Sequence, residues 1–322
     1  MKDLSKNGFR SLKKDVFIIG DVLMDYQYWV DNMPHIGEDT QIIMFNKNSG
    51  GSAANTAIAL KHLNVSCAFC GRIGRDEIGQ EILKQIQSVG LDITCMQYGD
   101  YTGYTLTIID KNGERTMFSF RGTAKEPFNL TQELICYLQN AKLLLISGYL
   151  LTNDIQADFI LNAIKISKNA GGIIALDPSP NINLVNNCLL EETLASTDIL
   201  LPNERELQIM GGADDTNIAM EKLLVKTPCI AVKLGPKGST MLIRKGLRTI
   251  SGYEFKNNEK LFAPAEKVVP IDTTGAGDAF NAGFIYSFLK GDKPIKWLES
   301  GNQLASKVIM KKGAVSLYLD KD

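Results

Sequence analysis

Asp272-Thr-Thr-Gly-Ala-Gly-Asp-Ala-Phe280 is the stretch that indicates the fold most directly. It follows the apolar run 268–271, which predicts a strand, and it opens a segment with an apolar stripe at i, i+4 and i+8, which predicts a helix. The stripe consists of Phe280, Phe284 and Phe288. Gly275 and Gly277 allow backbone N–H groups to approach an anion, and the helix N-terminus adds unpaired donors. The stretch therefore predicts an anion-binding site between a strand and a helix.

The carboxylate of Asp278 lies in the first turn of this helix, where it would repel a phosphate that is merely bound. The arrangement makes chemical sense if the carboxylate faces a hydroxyl nucleophile while the amides face a transferring phosphoryl group. Asp278 would then accept the hydroxyl proton, because an unperturbed Asp, with a pKa of ~3.9, is ionised at neutral pH. The structural alternative is an acidic first turn that stabilises only the helix dipole.

Short apolar runs alternate with longer helical patterns along the rest of the chain. The runs that predict buried strands are 16–20, 67–71, 143–147, 172–176, 199–202 and 229–233. The stretches that predict helices include 53–63, 78–89 and 155–169. This alternation indicates parallel strands joined by crossover helices and covered on both faces. The predicted fold class is α/β, with a central and mostly parallel sheet.

Two segments break this alternation. Residues 40–46 form one strand-like piece, and residues 102–120 form a second, in which Asn112-Gly113 predicts a hairpin turn. The hairpin strands alternate apolar with polar side chains, as in a half-exposed antiparallel sheet. We expect these pieces to form a small lid, with segments near 26–46 and 98–122, on one domain that spans residues 1–322.

A second glycine-rich stretch, Gly50-Gly-Ser-Ala-Ala-Asn-Thr-Ala57, opens a predicted helix. Its glycines would let a polar ligand meet backbone amides, and Asn55 offers both a donor and an acceptor. A purely structural turn is the alternative. Further along, Asp76 is expected to cap the helix that begins near Ile78. Neither glycine-rich stretch is a Walker A loop or a G-x-G-x-x-G fingerprint, which disfavours P-loop enzymes and dinucleotide-binding dehydrogenases.

Composition and charge disfavour several classes of protein. The 322 residues contain 35 Lys and Arg against 36 Asp and Glu, a formal net charge of −1, whereas nucleic-acid binders usually carry a basic excess. Residues 1–15 are polar and basic without the apolar core of a signal peptide. No run approaches the roughly 18 apolar residues of a membrane span. We therefore expect a cytoplasmic protein.

The six cysteines are scattered through predicted strands and helices, as expected of reduced and mostly buried thiols. Cys67 and Cys70 form a C-x-x-C. Because no second pair lies nearby, a place in the core is favoured over a metal or redox site. The histidines are His35 and His62 alone, which disfavours any mechanism that needs several histidines.

The two glycine-rich stretches resemble the diagnostic segments of the PfkB carbohydrate kinase family, also called the ribokinase-like family. The resemblance extends from Val16 to about Val315, and the later stretch is its most specific part. It implies a three-layer α/β/α sandwich with a β lid over the sugar. It also implies transfer of the γ-phosphate of ATP to a hydroxyl, and a homodimer formed through the lid.

The resemblance assigns roles to individual residues. Asp278 resembles the catalytic base, and the residues that resemble the anion hole are Gly275, Ala276 and Gly277. The residues that match sugar contacts are Asp25, Gly51 and Asn55. The loop that resembles the nucleotide loop contains Lys233, Gly235 and Gly238, and Asn302 matches a further nucleotide contact.

The same resemblance implies two cation sites. Asn203 and Glu206 match an N-x-x-E motif that helps to organise Mg²⁺ and phosphate. Asp272 and Thr274 fall where ribokinases bind a monovalent cation, which implies activation by K⁺. Each of these residues also has a structural alternative, such as a helix cap or a solvated helix position, but their joint occurrence in the family's order favours the functional interpretation.

Departures from the ribokinase pattern leave the acceptor substrate open. Gly51-Ser-Ala-Ala-Asn55 replaces Gly-Lys-Gly-Ala-Asn, and Ser147-Gly-Tyr149 stands where ribokinases place an acidic sugar contact. Arg121 is a candidate contact for a carboxylate or phosphate on the substrate, with a surface charge as the alternative. Candidate acceptors are ribose-like or fructose-like sugars, a keto-deoxy sugar acid, a nucleoside or a sugar phosphate. The aromatic residues that could stack on a ring are Tyr26, Tyr28 and Trp29.

An alternative from another functional class is a catalytically silent binding protein on the kinase scaffold. The intact glycine-rich stretch around Asp278 and the complete N-x-x-E motif argue against it.

Overall fold

The computed structural model describes residues 13–319, so most of the segment 1–15, for which no signal peptide is predicted, lies outside the described residues. The described part of the chain contains fourteen β-strands and ten α-helices. Among residues 13–319, no helix combines the length and the apolar character that crossing a membrane requires.

The elements are numbered in chain order. The strands are β1 (Lys14–Ile19), β2 (Leu23–Val30), β3 (Ile42–Gly50), β4 (Cys67–Cys70), β5 (Arg72–Gly74), β6 (Gln97–Gly99), β7 (Tyr104–Ile109), β8 (Arg115–Phe120), β9 (Ala141–Ser147), β10 (Ile173–Asp177), β11 (Ile199–Leu200), β12 (Cys229–Lys233), β13 (Ser239–Ile243) and β14 (Glu259–Ala263). The helices are α1 (Ser52–His62), α2 (Glu77–Ser88), α3 (Gln132–Asn140), α4 (Ala157–Asn169), α5 (Asn187–Ser196), α6 (Glu204–Gly211), α7 (Thr216–Leu224), α8 (Ala276–Leu289), α9 (Pro294–Val308) and α10 (Ser316–Leu319).

The main sheet has eight strands in the order β14-β13-β12-β11-β10-β9-β1-β4. The strands from β12 to β4 run parallel, and β13 and β14 extend the sheet antiparallel. Side chains of β1 alternate between two apolar cores, because successive residues of a strand point to opposite faces. Val16 and Ile18 belong to the core that contains the buried residues of α1, α8 and α9, whereas Phe17 and Ile19 belong to the core that contains those of α3, α4 and α7. The predicted three-layer α/β/α arrangement is confirmed.

A second sheet has the order β3-β2-β7-β8. Its inner strands β2 and β7 are parallel, and the outer strands pair antiparallel. Both predicted strand-like pieces, 40–46 and 102–120, lie in this sheet, but β2 is absent from the predictions. The hairpin turn forms as predicted: Gly113 has φ 81°, and its N–H donates to the carbonyl of Asp110 at 2.9 Å. The preceding segment Gln97–Gly99 instead pairs with β5 in a separate two-stranded sheet.

The helices follow the predicted patterns closely. α2 begins directly after Asp76, whose Oδ1 accepts a hydrogen bond from the N–H of Gly79 at 2.8 Å, so the predicted cap is confirmed. The apolar stripe of α8 is buried against α9, with Phe284 and Trp297 in edge-to-face contact. All six cysteines are free thiols, and Cys67 and Cys70 are buried in β4, as predicted for core residues.

The predicted strand at residues 268–271 is wrong. The segment has no regular secondary structure, and Val269 and Ile271 are 86% and 61% exposed. Pro270 lacks the N–H group that a paired strand requires, and the N–H of Ile271 donates to the carbonyl of Ile309 at the end of α9. The apolar run is therefore an extended connection to α8, and the antiparallel strands β13 and β14 complete the sheet instead.

Candidate active site

A cavity of about 830 Å³ lies where the carboxyl ends of β1, β10 and β12 face the second sheet. Ligands commonly bind outside the carboxyl ends of parallel strands, because helix N-termini and strand-end loops converge there. The N-termini of α1 and α8 reach the same cavity. The sequence-predicted residues that line it are Asp25, Gly51, Asn55, Arg121, Asn203, Glu206, Lys233, Gly235, Gly238, Thr274, Gly275, Ala276, Gly277, Asp278 and Asn302.

The turn before α8 requires glycine. Gly275 is the N-cap of α8 with φ 79°, a left-handed conformation that residues with a Cβ rarely adopt. A Cβ on Gly275 would also lie 2.5 Å from the Cβ of Ala314. This turn brings the first residues of α8 to the cavity wall, so the helix N-terminus and the carboxylate of Asp278 face the same space.

Asp278 is held by two side chains from α1. The Nδ2 of Asn55 donates to its Oδ2 at 2.8 Å, and the Oγ of Ser52 lies 2.7 Å from its Oδ1. Burial is the main cause that raises the pKa of Asp278 to about 6, and the nearby carboxylate of Asp177 adds to it. The bonds from Asn55 and Ser52 oppose this shift. α1 therefore positions the carboxylate, whose pKa of about 6 lies close to neutral pH.

Ser52 joins two carboxyl groups. Its Oγ lies 2.7 Å from Asp278 Oδ1 and 2.8 Å from Asp177 Oδ2. A hydroxyl has one hydrogen, so Ser52 can donate to only one of the two carboxyl groups at a time. Ser52 therefore links the positions of Asp177 and Asp278.

Lys233 supplies the positive charge beside this pair. Its Nζ donates to Asp177 Oδ1 at 2.8 Å and to Asn281 Oδ1 at 3.2 Å. Burial lowers the pKa of Lys233, but Asp177 and Glu206 raise it by more, so the side chain remains an ammonium ion. The Nζ lies 3.6 Å from the position that a Cβ on Gly277 would take. The ammonium group thus lies next to the predicted anion hole.

The N-x-x-E residues form a capping box at the start of α6. Asn203 Oδ1 accepts from the N–H of Glu206 at 2.8 Å, and Glu206 Oε2 accepts from the N–H of Asn203 at 2.9 Å. Glu206 still lines the cavity, and burial is the main cause that raises its pKa to about 7. The motif therefore caps a helix and also exposes a carboxyl group to the ligand space.

The predicted nucleotide contacts lie along one wall of the cavity. Gly235 begins a short 3₁₀ turn between β12 and β13, and Gly238 follows its last residue. The Nδ2 of Asn302 donates to the carbonyl of Ala263 at 2.9 Å, so it fixes the end of β14 beside this turn. The amide of Asn302 is therefore committed to the backbone.

The predicted residues of the monovalent-cation site are bonded to each other. Asp272 Oδ1 accepts from the N–H and the Oγ1 of Thr274 at 2.9 and 2.6 Å, and Asp272 Oδ2 accepts from the N–H of Gly313 at 2.9 Å. These bonds tie the start of the glycine-rich turn to the segment after α9. Thr274 lines the cavity, whereas Asp272 does not.

The second sheet and the end of β1 supply the other end of the cavity. Asp21 is 3% exposed and forms an ion pair with Arg121, whose guanidinium also lies 5.6 Å from the ring of Tyr149. Burial raises the pKa of Asp21, although Arg121 opposes the shift. Asp25 is close enough to Asp278 for the two charges to interact, and burial with this repulsion raises the pKa of Asp25 to about 7.

The aromatic residues predicted as a stacking surface do not line the cavity. Tyr26 stacks on Phe45 at 6.3 Å, Tyr28 also contacts Phe45, and Trp29 lies under the Nζ of Lys312. Phe45 of β3 therefore contacts both tyrosine rings, and Lys312 lies over the ring of Trp29. The structure therefore does not place these rings at the cavity wall, and their stacking on a substrate ring stays a prediction.

The residues that bond within the site but are absent from the sequence predictions include Asp21, Ser52 and Asp177, which line the cavity, and Asn281, which accepts a hydrogen bond from Lys233. A signal existed for two of them, because Asp21 and Asp177 directly follow apolar runs that predict parallel strands. Polar residues at carboxyl ends of such strands are expected at the ligand site. Asn281 carried no such signal, since it lies inside a helix.

Comparison with known proteins decides between the classes that the site allows. Residues 13–321 match the family described as pfkB family carbohydrate kinase. The chain belongs to the pfkB family of carbohydrate kinases. The prediction of the family is confirmed, and with it the class of enzyme, a kinase that acts on small carbohydrate-type molecules.

Individual pfkB relatives agree in length and fold. The ribokinase of Haemophilus influenzae is 26% identical over 317 residues, which cover 95% of this chain and 95% of that protein. The ATP-dependent 6-phosphofructokinase of Thermoanaerobacterium thermosaccharolyticum is 25% identical over 313 residues, or 95% and 91% of the two chains. A crystal structure of ribokinase from Thermotoga maritima has a TM-score of 0.77 at 26% identity, covering 94% of this chain and 95% of that chain.

Proposed function

We propose that this pfkB kinase transfers the γ-phosphoryl group of ATP to a hydroxyl of a sugar or sugar-like molecule, with Asp278 as the general base. One juxtaposition carries the proposal: the carboxylate of Asp278 and the N-terminal turn of α8 line the same cavity. A carboxylate there suits an alcohol better than a phosphate, and the helix N-terminus suits a phosphoryl group. ATP as the phosphate donor is supported by the ATP-dependent relative.

In the proposed reaction, Asp278 takes the proton of the acceptor hydroxyl as its oxygen attacks the γ-phosphorus. The O–H bond breaks, the new O–P bond forms, and the bond from the γ-phosphorus to ADP breaks. With a pKa of about 6, Asp278 is mostly ionised at pH 7 and is still basic enough to accept a proton. Ser52 and Asn55 hold the carboxylate in place.

The negative charge that develops on the phosphoryl oxygens would be met by the turn formed by Gly275, Ala276 and Gly277 and by the ammonium of Lys233. Lys233 is fixed by Asp177 and Asn281, so it needs no reorganisation during the reaction. The nucleotide would lie along the wall formed by Gly235, Gly238 and Asn302.

Mg²⁺ is proposed to enter with the nucleotide. No group of three or more Asp, Glu, His or Cys side chains able to hold a metal ion occurs in residues 13–319. Mg²⁺ at nucleotide sites is typically held by the phosphates, waters and one or two carboxylates. Glu206, with Asn203 fixing it, fits this role because its buried carboxyl group faces the cavity. When bound, the ion would neutralise charge on the phosphates.

K⁺ activation is proposed for the turn that contains Asp272 and Thr274. Asp272 fixes the turn through three hydrogen bonds, so an ion bound there would act on the position of Gly275 and its neighbours. The supporting observation is that this turn leads directly into the N-cap of α8.

The domain, the assembly and the location are also proposals. We propose one kinase domain over residues 1–322, with segments 26–46 and 98–122 forming a lid. A homodimer through this lid is supported by the exposed apolar side chains of the second sheet: Ile42, Ile43, Met44, Phe45, Met117, Phe118 and Phe120. A cytoplasmic location is supported by six unpaired cysteines.

The alternatives are a nucleoside kinase of the same family and a silent binding protein on the same scaffold. The nucleoside alternative shares every step above and differs only in the acceptor. The silent alternative is not favoured, because a kinase needs the carboxylate, the glycine turn and the lysine together, and all three line one cavity.

The decisive experiment measures ADP formation from Mg-ATP with a panel of sugars and nucleosides, with and without K⁺. Asp278→Asn should reduce kcat by roughly 10²–10⁴ with the best acceptor, because it removes the base and keeps the shape. Asp214→Asn, the same change on an exposed side chain, is the control and should keep wild-type activity. Stabilisation by a sugar without turnover, or full activity of Asp278→Asn, would refute the proposal.

A further inference from the structure

The acceptor end of the cavity, defined here by Asp21, Asp25, Asn55, Arg121 and Asp278, has an excess of carboxyl groups. Three carboxyl groups face one guanidinium group, and all five residues line the cavity. Two lysines also line the cavity. Lys233 lies beside Asp278 but is bonded to Asp177, whose charge offsets its own, and Lys267 belongs to the extended connection before α8.

The single cation at this end is already paired. Arg121 forms its ion pair with Asp21, a side chain that is 3% exposed and lies at the end of β1. An anionic substrate that bound Arg121 would have to compete with a carboxylate that cannot move into water. Breaking a buried pair leaves an uncompensated buried charge, which is strongly unfavourable.

The acceptor end also contains buried oxygen atoms that need hydrogen-bond donors. Within the described residues, Asp21 Oδ1 and Asn55 Oδ1 are buried without a hydrogen-bond partner. Buried polar atoms are normally bonded, and hydroxyl groups of a ligand are donors that could satisfy these acceptors. A carboxylate or phosphate group on a ligand has only acceptor oxygens to offer when fully ionised.

We infer that the acceptor is an uncharged polyhydroxy compound, a sugar or the sugar portion of a nucleoside, and that Asp21 excludes sugar acids and sugar phosphates by neutralising Arg121. The inference rests on the proposed kinase function and selects among its candidate acceptors. In this inference, the guanidinium of Arg121 positions Asp21 and does not bind an anionic group of the substrate.

The size of the discrimination follows from the charges. Even if Asp25, with a pKa near 7, is half protonated at neutral pH, the acceptor end is net negative when Asp278 is ionised. Placing a like charge in such a site is strongly unfavourable. For matched substrates, we expect kcat/KM to be roughly a hundredfold lower, or more, for the anionic member.

The first test uses the wild-type protein with matched acceptors at saturating Mg-ATP. The pairs are ribose and ribose 5-phosphate, fructose and fructose 6-phosphate, glucose and gluconate, and adenosine and AMP. Each pair is assayed for ADP formation and for the phosphorylated product. Because ribose 5-phosphate, fructose 6-phosphate and AMP lack one hydroxyl of their neutral partners, each anionic member is also tested as a competitive inhibitor of its neutral partner. A neutral member that turns over, with an anionic partner that is at least about a hundredfold slower and also inhibits at least about a hundredfold more weakly than the neutral member binds, supports the inference. An anionic acceptor that is preferred to its neutral partner overturns it while leaving the kinase proposal intact.

The second test asks whether Asp21 is the determinant. Asp21→Asn keeps the shape and releases Arg121, so the ratio of anionic to neutral kcat/KM should rise at least about tenfold even if total activity falls. Glu126→Gln is the matched control, because it breaks another arginine–carboxylate pair, with Arg72 at 2.9 Å, outside the cavity. The ratio should not change in that control. An unchanged ratio in Asp21→Asn would overturn the role of Asp21.

Discussion

Asp278 is the residue whose environment sets the conditions for catalysis. Burial and the carboxylate of Asp177 raise its pKa to about 6, while Ser52 and Asn55 donate hydrogen bonds that oppose the shift. A general base must be ionised before it can accept a proton. We therefore expect the pKa of Asp278 to appear as a midpoint in the pH dependence of the reaction rate.

We predict that kcat/KM rises with pH through a midpoint near 6 and levels off by about pH 7.5. The sign follows because Asp278 is protonated, and inactive as a base, below its pKa. Initial rates between pH 5 and 8, at subsaturating acceptor and saturating Mg-ATP, test this. Ser52→Ala should move the midpoint to higher pH, because it removes a donor that stabilises the carboxylate. A profile that is flat over this range would contradict the assignment of Asp278.

The site residues that the sequence predicted differ from the residues that it missed in how far their signals or partners are spread along the chain. Asp278 lies inside a contiguous motif, so glycine spacing and the helix start identify it locally. Ser52 and Asp177 are 125 residues apart in sequence, and they meet only because α1 begins where β10 ends. Contacts of that kind depend on the order of strands in the sheet, which no local pattern of the sequence specifies.

At the scale of elements, parallel strands and their crossover helices were predictable because each is a continuous apolar run or a regular stripe. β2 was missed because both of its faces are partly covered, which blurs the alternation. The prediction of a strand at 268–271 was wrong because an apolar run does not reveal whether a neighbouring strand is available for pairing. β13 and β14 form instead, through antiparallel pairing that extends the sheet beyond β12.

Asp76 connects α2 to the segment just before β7. Its removal therefore tests how much this connection stabilises the second sheet. Its Oδ1 caps α2 through the N–H of Gly79, and its Oδ2 accepts from the N–H of Thr102, just before β7, at 2.8 Å. We predict that Asp76→Ala lowers the free energy of unfolding by about 2 kcal/mol, since it removes a cap and a second backbone contact.

The control for this prediction is Asp215→Ala. Asp215 caps α7 by accepting from the N–H groups of Asn217 and Ile218, and among residues 13–319 its side chain shows no further bond to another element. The Asp215→Ala substitution should therefore lower the free energy of unfolding by about 1 kcal/mol. Chemical denaturation of both variants, followed by circular dichroism, measures the difference. Equal losses in the two variants would show that the bond to Thr102 contributes nothing.

At the scale of the whole molecule, the sandwich holds several carboxyl groups in one cavity at the carboxyl ends of its strands. Asp25 and Glu206 have pKa values raised to about 7, and Asp278 to about 6, with burial as the main cause in each. The folded protein therefore binds more protons than the unfolded chain between about pH 4 and 7. Stability must fall as pH rises through that window, because burying these groups ionised is unfavourable.

We predict that the ligand-free protein is at least about 2 kcal/mol less stable at pH 8 than at pH 5, since each shifted unit is worth about 1.4 kcal/mol. Urea denaturation at the two pH values measures the difference. Asp25→Asn should reduce the pH dependence, because it removes one of the raised groups, whereas Asp214→Asn should leave it unchanged. Stability that is constant or higher at pH 8 would mean that these carboxyl groups are hydrated, and the cavity would then lack the low polarity that the charge-based exclusion of anionic acceptors requires.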